Sequence, residues 1–486
     1  MRTHILAVLL LMAATAAYGQ APAAPAVPAA PAVPAAPAAE TTIADQVDVS
    51  VTAYTAGLAL VRDSRKLSLP TGEIDLRFSD VAQQIRPETV SLRSVSAPGS
   101  VAVIEQNYEF DLISPAKMME KYVGKKVALV NFSREIGFER VEAELMSVNE
   151  GPIYRIGGEI FLGHPGNVVL PEIPENLIAR PSLIWRLANE AAEQTVEAAY
   201  LTGGIGWKAD YVITLARDEK SLGLNGWVTL TNQSGATFNN AMVKLVAGEV
   251  NLAPQQIEMA VAWYVDRAQA PAAAPMPREE AFGEYHLYTL PRRTTIRQNQ
   301  TKQVALMAAE GVKAAKRYEF RGQEFYYMQI IPPPEQRNEQ VAVFLEFQND
   351  EANNMGMPLP GGVMRVYQED QDGMLQFSGE DSIKHTPKDE KVSLRLGNAF
   401  DVKGERIQTD FRQIAPNVNE SAFKITLRNH KQQDIVVEVV EPVPGDWEVL
   451  ESSHEYEKKD SRTIVFKVPV PKDGEVLVEY RVRVRY

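Results

Sequence analysis

From Val47 onward, short runs of alternating apolar and polar residues fill most of the chain, punctuated by Gly, Asn, Asp and Pro. Alternation with a period of two puts every second side chain on one face of an extended backbone, so this texture predicts half-buried β-strands. Val49-Val51, Ala59-Val61, Ile74-Leu76-Phe78 and Val101-Val103 form the first group. Ser114 ahead of residues 115–122, with Gly124 behind them, predicts one short helix: the serine side chain caps free N–H groups and the glycine ends the turn. Val127-Leu129, Val141-Leu145, Tyr154-Ile156, Ile160-Leu162 and Val168-Leu170 then crowd together, with Gly151, Gly157, Gly158 and Gly163 between them. That spacing suits a small β-barrel, or else a compact sheet, inserted as its own unit at 123–176.

Residues 183–199 fit two patterns. Leu183, Ile184, Leu187 and Ala191 define one face of a helix, whereas Pro181 and the strand-like residues 200–215 favour a hairpin; periodicity alone leaves both open. Gly203-Gly204-Ile205-Gly206 predicts a bulge or sharp bend that lets Trp207 pack. Residues 226–250 alternate on both sides of the turn Asn232-Gln233-Ser234-Gly235, as two strands of a sandwich do. The last third is the most regular. Val341-Val343-Leu345-Phe347, Val392-Leu394-Leu396, Phe423-Ile425-Leu427, Ile435-Val437-Val439, Ile464-Phe466-Val468 and the run from Val476 to Val484 are all separated by polar turns. Asp372-Gly373 between two alternating runs predicts a hairpin with positive φ at its central positions.

The expected fold is therefore all-β: several antiparallel, immunoglobulin-like β-sandwich domains with an inserted small barrel and few short helices. The divisions are an N-terminal β domain at 46–122, the barrel at 123–176, a central sandwich at 177–340 with a Pro/Ala-rich loop at 268–283, and a C-terminal sandwich at 341–486. Residues 1–19 and 20–45 stand apart. Arg2, an apolar run from Ile5 to Ala17 and small residues at Ala17 and Gly19 match a secretory signal peptide, with cleavage expected between Gly19 and Gln20. The run is too short to span a bilayer. Ala, Pro and Val alternate through 21–39, a composition that favours an extended, polyproline-like spacer.

Composition narrows the chemistry. The 486 residues contain no cysteine, which removes disulfides, thiol catalysis and thiolate-bound metals, and suits an exported chain. A formal net charge of −13 argues against nucleic acid as a partner, because phosphate backbones are repelled. Export through a signal peptide places the chain in the periplasm or on the cell surface, not spanning the membrane after cleavage.

The chemical motifs are thin. His4, His164, His286, His385, His430 and His454 show no pair at helical ligand spacing and no HExxH. His385 beside Glu380 and Asp381, and His454 beside Glu451 and Glu455, are the best histidine–carboxylate neighbours, but polar turns explain both far better. Ser114 and Lys117 have β-lactamase spacing without its companion motifs. Asp370-Gln371-Asp372-Gly373 resembles part of a calcium loop, but Gln368 and Gly379 occupy two positions where carboxylates are required. The closing strand alternates to Tyr486 as an outer-membrane barrel strand does, yet the other strands lack aromatic girdles, which favours a terminal sandwich strand. Of the five tryptophans, Trp447 beside the turn Pro444-Gly445-Asp446 is the one best placed for exposure. No catalytic, cofactor or metal residues are assigned, and Trp447, His385 and His454 are the candidate binding surface.

Several blocks resemble the bacterial domain of unknown function 4139. They are YLTGGIGWKADYVITL at 200–215, GWVTLTNQSGATFNNAMVKLVAGEVN at 226–251, YHLYTLPRRTTIRQNQTKQVAL at 285–306, the stretch at 357–406, GDWEVLESSHEYEKKD at 445–460 and YRVRVRY at 480–486. They keep one order from about Tyr200 to the last residue. The resemblance implies an exported β-sandwich protein and carries over no activity, cofactor or catalytic residue. The expected function is that of a non-catalytic protein of a bacterial cell envelope, which binds or scaffolds an envelope protein or polysaccharide. The alternative is a hydrolase of envelope polymer or peptide with a site assembled between domains, which requires paired carboxylates or a histidine–carboxylate pair in a pocket. A third option is a protein embedded in the outer membrane.

Overall fold

The computed structural model describes residues 38–133, 137–164, 166–174, 177–248, 250–251, 277–331 and 338–486. The signal-peptide expectation, most of the spacer and residues 268–276 of the Pro/Ala-rich loop lie outside them. Within that loop, Arg278–Phe282 is a strand paired with Tyr285–Thr289, not irregular chain.

The architecture is all-β. The first sandwich joins a sheet of Ala38–Thr41, Gly72–Ser79, Ser182–Asn189 and Val101–Glu109 to a larger one built around Phe238–Ala247, Gln46–Tyr54, Leu58–Ser68 and Glu193–Gly203. Ile74, Leu76, Phe78, Leu183, Trp185 and Leu187 point inward from the first sheet, and Val51, Val61, Val196, Ala198 and Tyr200 from the second. Period two thus decides the region 183–199. Leu183, Trp185 and Leu187 are fully buried while Ile184 is half-buried, so the segment is a strand and the helical alternative falls. The two strands of this hairpin join different sheets, which closes the sandwich at one end.

The inserted unit begins with the helix Pro115–Lys121, capped as expected by Ser114, whose Oγ accepts the Lys117 N–H at 3.2 Å. Its five strands run in the order Glu159–Leu162, Ile153–Ile156, Gly137–Ser147, Lys126–Ser133, Asn167–Val169. The expected closed barrel does not form, because no ladder among the described residues joins the two outer strands. The unit is an open, compact sheet, and the small core of Tyr122, Val127, Leu129, Leu145 and Tyr154 belongs to it.

Gly204, at φ +77°, bends the chain from Glu193–Gly203 in the first sandwich into Ile205–Leu215 in the next, and Trp207 is buried just beyond it. A Cβ at Gly204 would fall 2.8 Å from the Gln233 backbone, so the corner requires glycine for space as well as for φ. The third part is one continuous 13-stranded arrangement. Two of its strands are far longer than the short runs expected from sequence: Gln300–Arg321 with 22 residues and Lys391–Ala415 with 25. Gln300–Arg321 pairs first with Ser221–Asn232, then with Asn338–Gln348 and Ile435–Pro442. One strand therefore serves two cores: the large one shared with the first sandwich, and a C-terminal one containing Phe320, Phe423, Val437, Phe466 and Val482.

The sheets are not purely antiparallel. Ala38–Thr41 with Gly72–Ser79, Phe238–Ala247 with Gln46–Tyr54, Ile205–Leu215 with Gly362–Glu369, and Gln300–Arg321 with Ile435–Pro442 pair in parallel. Each joins segments with no shared turn, so no local signal announces it.

Candidate functional site

The buried polar groups come first, because charge inside a sandwich must be paired. In the C-terminal core, Glu441 is fully buried and Arg406 nearly so, and the two form an ion pair. Tyr327 donates to Glu441 Oε2 at 2.8 Å and contacts the Tyr480 hydroxyl at 2.9 Å. Burial pushes both tyrosines well above the usual phenol range, with the Glu441 charge acting in the same direction. The Arg406 guanidinium lies over Phe320 and Tyr326. At Gly322 a Cβ would fall 2.4 Å from Glu441 Oε2, so this position leaves room for the carboxylate. The cluster is a packed polar core inside the sandwich. In the N-terminal sandwich, fully buried Arg65 stacks 3.6 Å from the Phe78 ring centroid, binds Asp63 and donates to the Thr41 carbonyl, which ties the strand Ala38–Thr41 in place.

A cleft of about 320 Å³ lies where three parts of the chain meet. Ile43, Asp80, Val81 and Gln83 come from the first sandwich, Gly235, Ala236 and Thr237 from the turn after Ser221–Asn232, and Asn239 from the start of the next strand. The third wall is Leu112 with residues 179–181. These are the two stems of the inserted unit, held side by side by Ile113 N–H to the Ile178 carbonyl at 3.0 Å and Ile178 N–H to the Asp111 carbonyl at 3.1 Å. Asp80 has φ +65°, an uncommon conformation for a non-glycine residue, stabilised here by two contacts of its carboxylate. Ile43 N–H donates to Oδ2 at 3.1 Å, and Arg180 Nη1 donates to both oxygens at 3.0 and 3.1 Å. Gln83 is fixed against the turn through its N–H to the Ser234 carbonyl at 2.7 Å. The cleft thus offers one guanidinium, side-chain amides and several apolar walls. Its carboxylate is already engaged.

The three candidates from sequence occupy other places. His385 is exposed between Leu375–Ile383 and Lys391–Ala415, and its Nδ1 accepts the Gly361 N–H at 3.1 Å. Its acidic neighbours are turned to other tasks. Asp381 accepts the Arg395 N–H at 2.8 Å, and Glu380 pairs with Arg365 at 3.1 Å. His454 contacts the Ser453 hydroxyl at 2.9 Å. Trp447 is half-buried against the C-terminal core, donates to the Ser461 carbonyl at 2.8 Å and carries Lys458 Nζ 4.5 Å from its ring centroid. His385 follows Leu375–Ile383 at one end of the 13-stranded order, whereas Trp447 and His454 lie in and just after Asp446–Ser452 at its other end.

Other motifs resolve into structure. The Lys117 ammonium pairs with Glu120 at 3.1 Å and Asp111 at 3.7 Å, and Lys117 meets the Ser114 hydroxyl only through its backbone N–H. The Asp372-Gly373 hairpin forms, but only Gly373 has positive φ, because Asp370 caps a longer loop instead of a two-residue turn. Its carboxylate accepts from Gln376, Met374 N–H and Asp372 N–H, and the Gln376 contact leads in holding it below the ordinary carboxylate range. Among the described residues no three His, Asp or Glu side chains converge as a metal site requires. The closest histidine–carboxylate contact described, His286 Nδ1 to Glu279 Oε1 at 2.8 Å, joins the edge strand Arg278–Phe282 to its neighbour Tyr285–Thr289 outside the cleft. Arg481 and Arg483 on the last strand pair with Asp410 and Glu420, the outer face of a sandwich sheet. Sequence reasoning missed the cleft, whose parts are dispersed from Ile43 to Asn239 without a shared motif.

Comparison with protein families gives one match: the family described as Domain of unknown function (DUF4139) covers residues 196–486. No curated protein matches the chain.

Proposed function

This chain belongs to the family of domain of unknown function 4139, and from that premise we propose that it is a non-catalytic binding or scaffolding protein of the cell envelope. The observation that supports a binding role is the junction cleft. Pockets for ligands favour domain interfaces, and this one has a fixed frame: two stems joined by an isolated β-bridge, a turn and a sandwich edge, with hydrogen bonds between them. Its side chains suit recognition more than bond cleavage. The single carboxylate is spent on Arg180 and the Ile43 N–H, and so is not available as a general base. Export rests on the N-terminal charge, apolar run and small residues of 1–19, and the partner is an envelope protein or polysaccharide.

The test is in-cell cross-linking of a C-terminally tagged chain, followed by fractionation and mass spectrometry. One dominant envelope component that survives stringent washing supports the proposal. Recovery of the tagged chain in the cytoplasm with residues 1–19 still attached sinks the envelope assignment, and recovery of abundant bystanders alone sinks the binding role.

A further inference from the structure

We propose that the junction cleft binds the carboxylate of an extended peptide and that Arg180 is the residue that reads it; this rests on the binding role proposed above and names its ligand. The argument starts from how Arg180 is used. It meets Asp80 through Nη1 alone, both carboxylate oxygens sharing that one nitrogen at 3.0 and 3.1 Å. The edge formed by Nε and Nη2 makes no hydrogen bond among the described residues. That edge presents two parallel N–H donors at the spacing of a carboxylate, the geometry behind the strongest arginine recognition. The Arg180 side chain is 60% exposed at the cleft, while Asp80 is 18% exposed, so the arginine is anchored from below and open above.

Asp80 acts as a positioning residue. Its left-handed backbone and the Ile43 N–H bond fix its carboxylate, which holds the guanidinium at the wall instead of letting the long side chain wander in solvent. The order of a free arginine side chain is thus partly prepaid before a ligand arrives.

The remaining lining selects the class of ligand. Ile43, Val81, Leu112, Pro181 and Ala236 provide small aliphatic walls, and Gln83 provides an amide. None of the lining residues is aromatic, so the cleft offers no ring on which a sugar or a base would stack. A volume of about 320 Å³ is at the lower end for ligand pockets and holds a short extended segment, not a globular face. A peptide satisfies every part: a carboxylate for the arginine, small side chains for the aliphatic walls, and backbone amides for Gln83.

The experiment uses the full chain and three N-terminally fluorescein-labelled probes followed by anisotropy. The probes are trialanine with a free carboxylate, the same peptide amidated, and an amidated peptide whose middle residue is glutamate. The free acid or the glutamate peptide is expected to bind at least tenfold tighter than the amidated trialanine, and which of the two does so distinguishes a chain terminus from an acidic side chain. Arg180→Gln is expected to erase that preference and Arg180→Lys to retain part of it. Because the side chain is largely exposed, both variants are expected to melt with the parent, and calorimetry checks this. Equal binding of all three probes, no binding of any, or a preference that survives Arg180→Gln overturns the proposal. Failure here together with a captured envelope partner overturns this ligand alone and leaves the binding role standing.

Discussion

Asn429 offers the sharpest test of how the C-terminal sandwich is held. It is fully buried at the end of Val418–Asn429, where its Nδ2 donates to the carbonyls of Gln433 at 2.9 Å, Pro471 at 3.0 Å and Val470 at 3.3 Å. Its Oδ1 accepts the Lys431 N–H at 3.0 Å. One side chain thus joins the turn after its own strand to the turn before the last strand. Three of these contacts have good geometry, and a typical bond is worth about 1 kcal/mol net, so Asn429→Ala is expected to cost about 2–3 kcal/mol. The lower figure applies if water reaches the carbonyls of the exposed residues Gln433 and Pro471. Against a domain stability of about 5–15 kcal/mol this is a large fraction. Asn429→Asp preserves size and the accepting oxygen but turns a second oxygen toward three carbonyls, and is expected to cost more than alanine at pH 7. Urea unfolding gives the total, and peptide-resolved hydrogen exchange locates the loss in 418–485. An alanine cost below about 0.5 kcal/mol, or an aspartate variant as stable as the parent at pH 7, refutes the assignment of stability to this corner.

Three further outcomes follow from the same structure. Removing either member of the buried pair, Arg406→Met or Glu441→Leu, is expected to cost about 3–5 kcal/mol, while the double replacement recovers most of it; a double-mutant cycle without such coupling contradicts a paired core. Burial tends to raise Glu346, but contacts from Lys391 and Arg317 outweigh it and hold it below the ordinary value of 4.5. Its folded value is depressed, so its stabilisation is present above pH 4.5 and is lost as pH falls further, and Glu346→Gln is expected to flatten the acid limb of a melting-temperature profile. Gly204→Ala meets both positive φ and the Gln233 backbone, and is expected to lower the melting temperature far more than Gly283→Ala, where the added carbon has open space around it.

Much of this fold was legible in the alternation. Leu183, Trp185 and Leu187, or Val478, Tyr480, Val482 and Val484, are buried in the order in which period two places them. Ser114 and the Gly204 corner were visible because a cap and a bend each need a particular residue type. Pairing between distant segments was not visible: Ala209 meets Gly362 in a parallel ladder, and neither side carries a turn signal for the other. The long strands were also obscured: Gly397, at φ +141°, breaks the alternation of Lys391–Ala415 just after Val392-Leu394-Leu396, and Gly311, at φ +68°, breaks that of Gln300–Arg321, where no run stands out in the sequence. The cleft was illegible for a related reason. Arg180 and Asp80 are ordinary residues until the stems of the inserted unit bring them together.

Gln300–Arg321 passes from one core to the next without a linker, and this gives the chain a mechanical character. At about 3.3 Å per residue a strand of this length approaches 70 Å, an unbroken tie rod through both cores. A load applied at either end is met as shear along many ladder hydrogen bonds at once, not at a single hinge. The bend at Gly311 sets the angle of the rod without cutting it. A protein tethered at one end and gripping a partner at the other would therefore transmit strain between them and hold their separation constant.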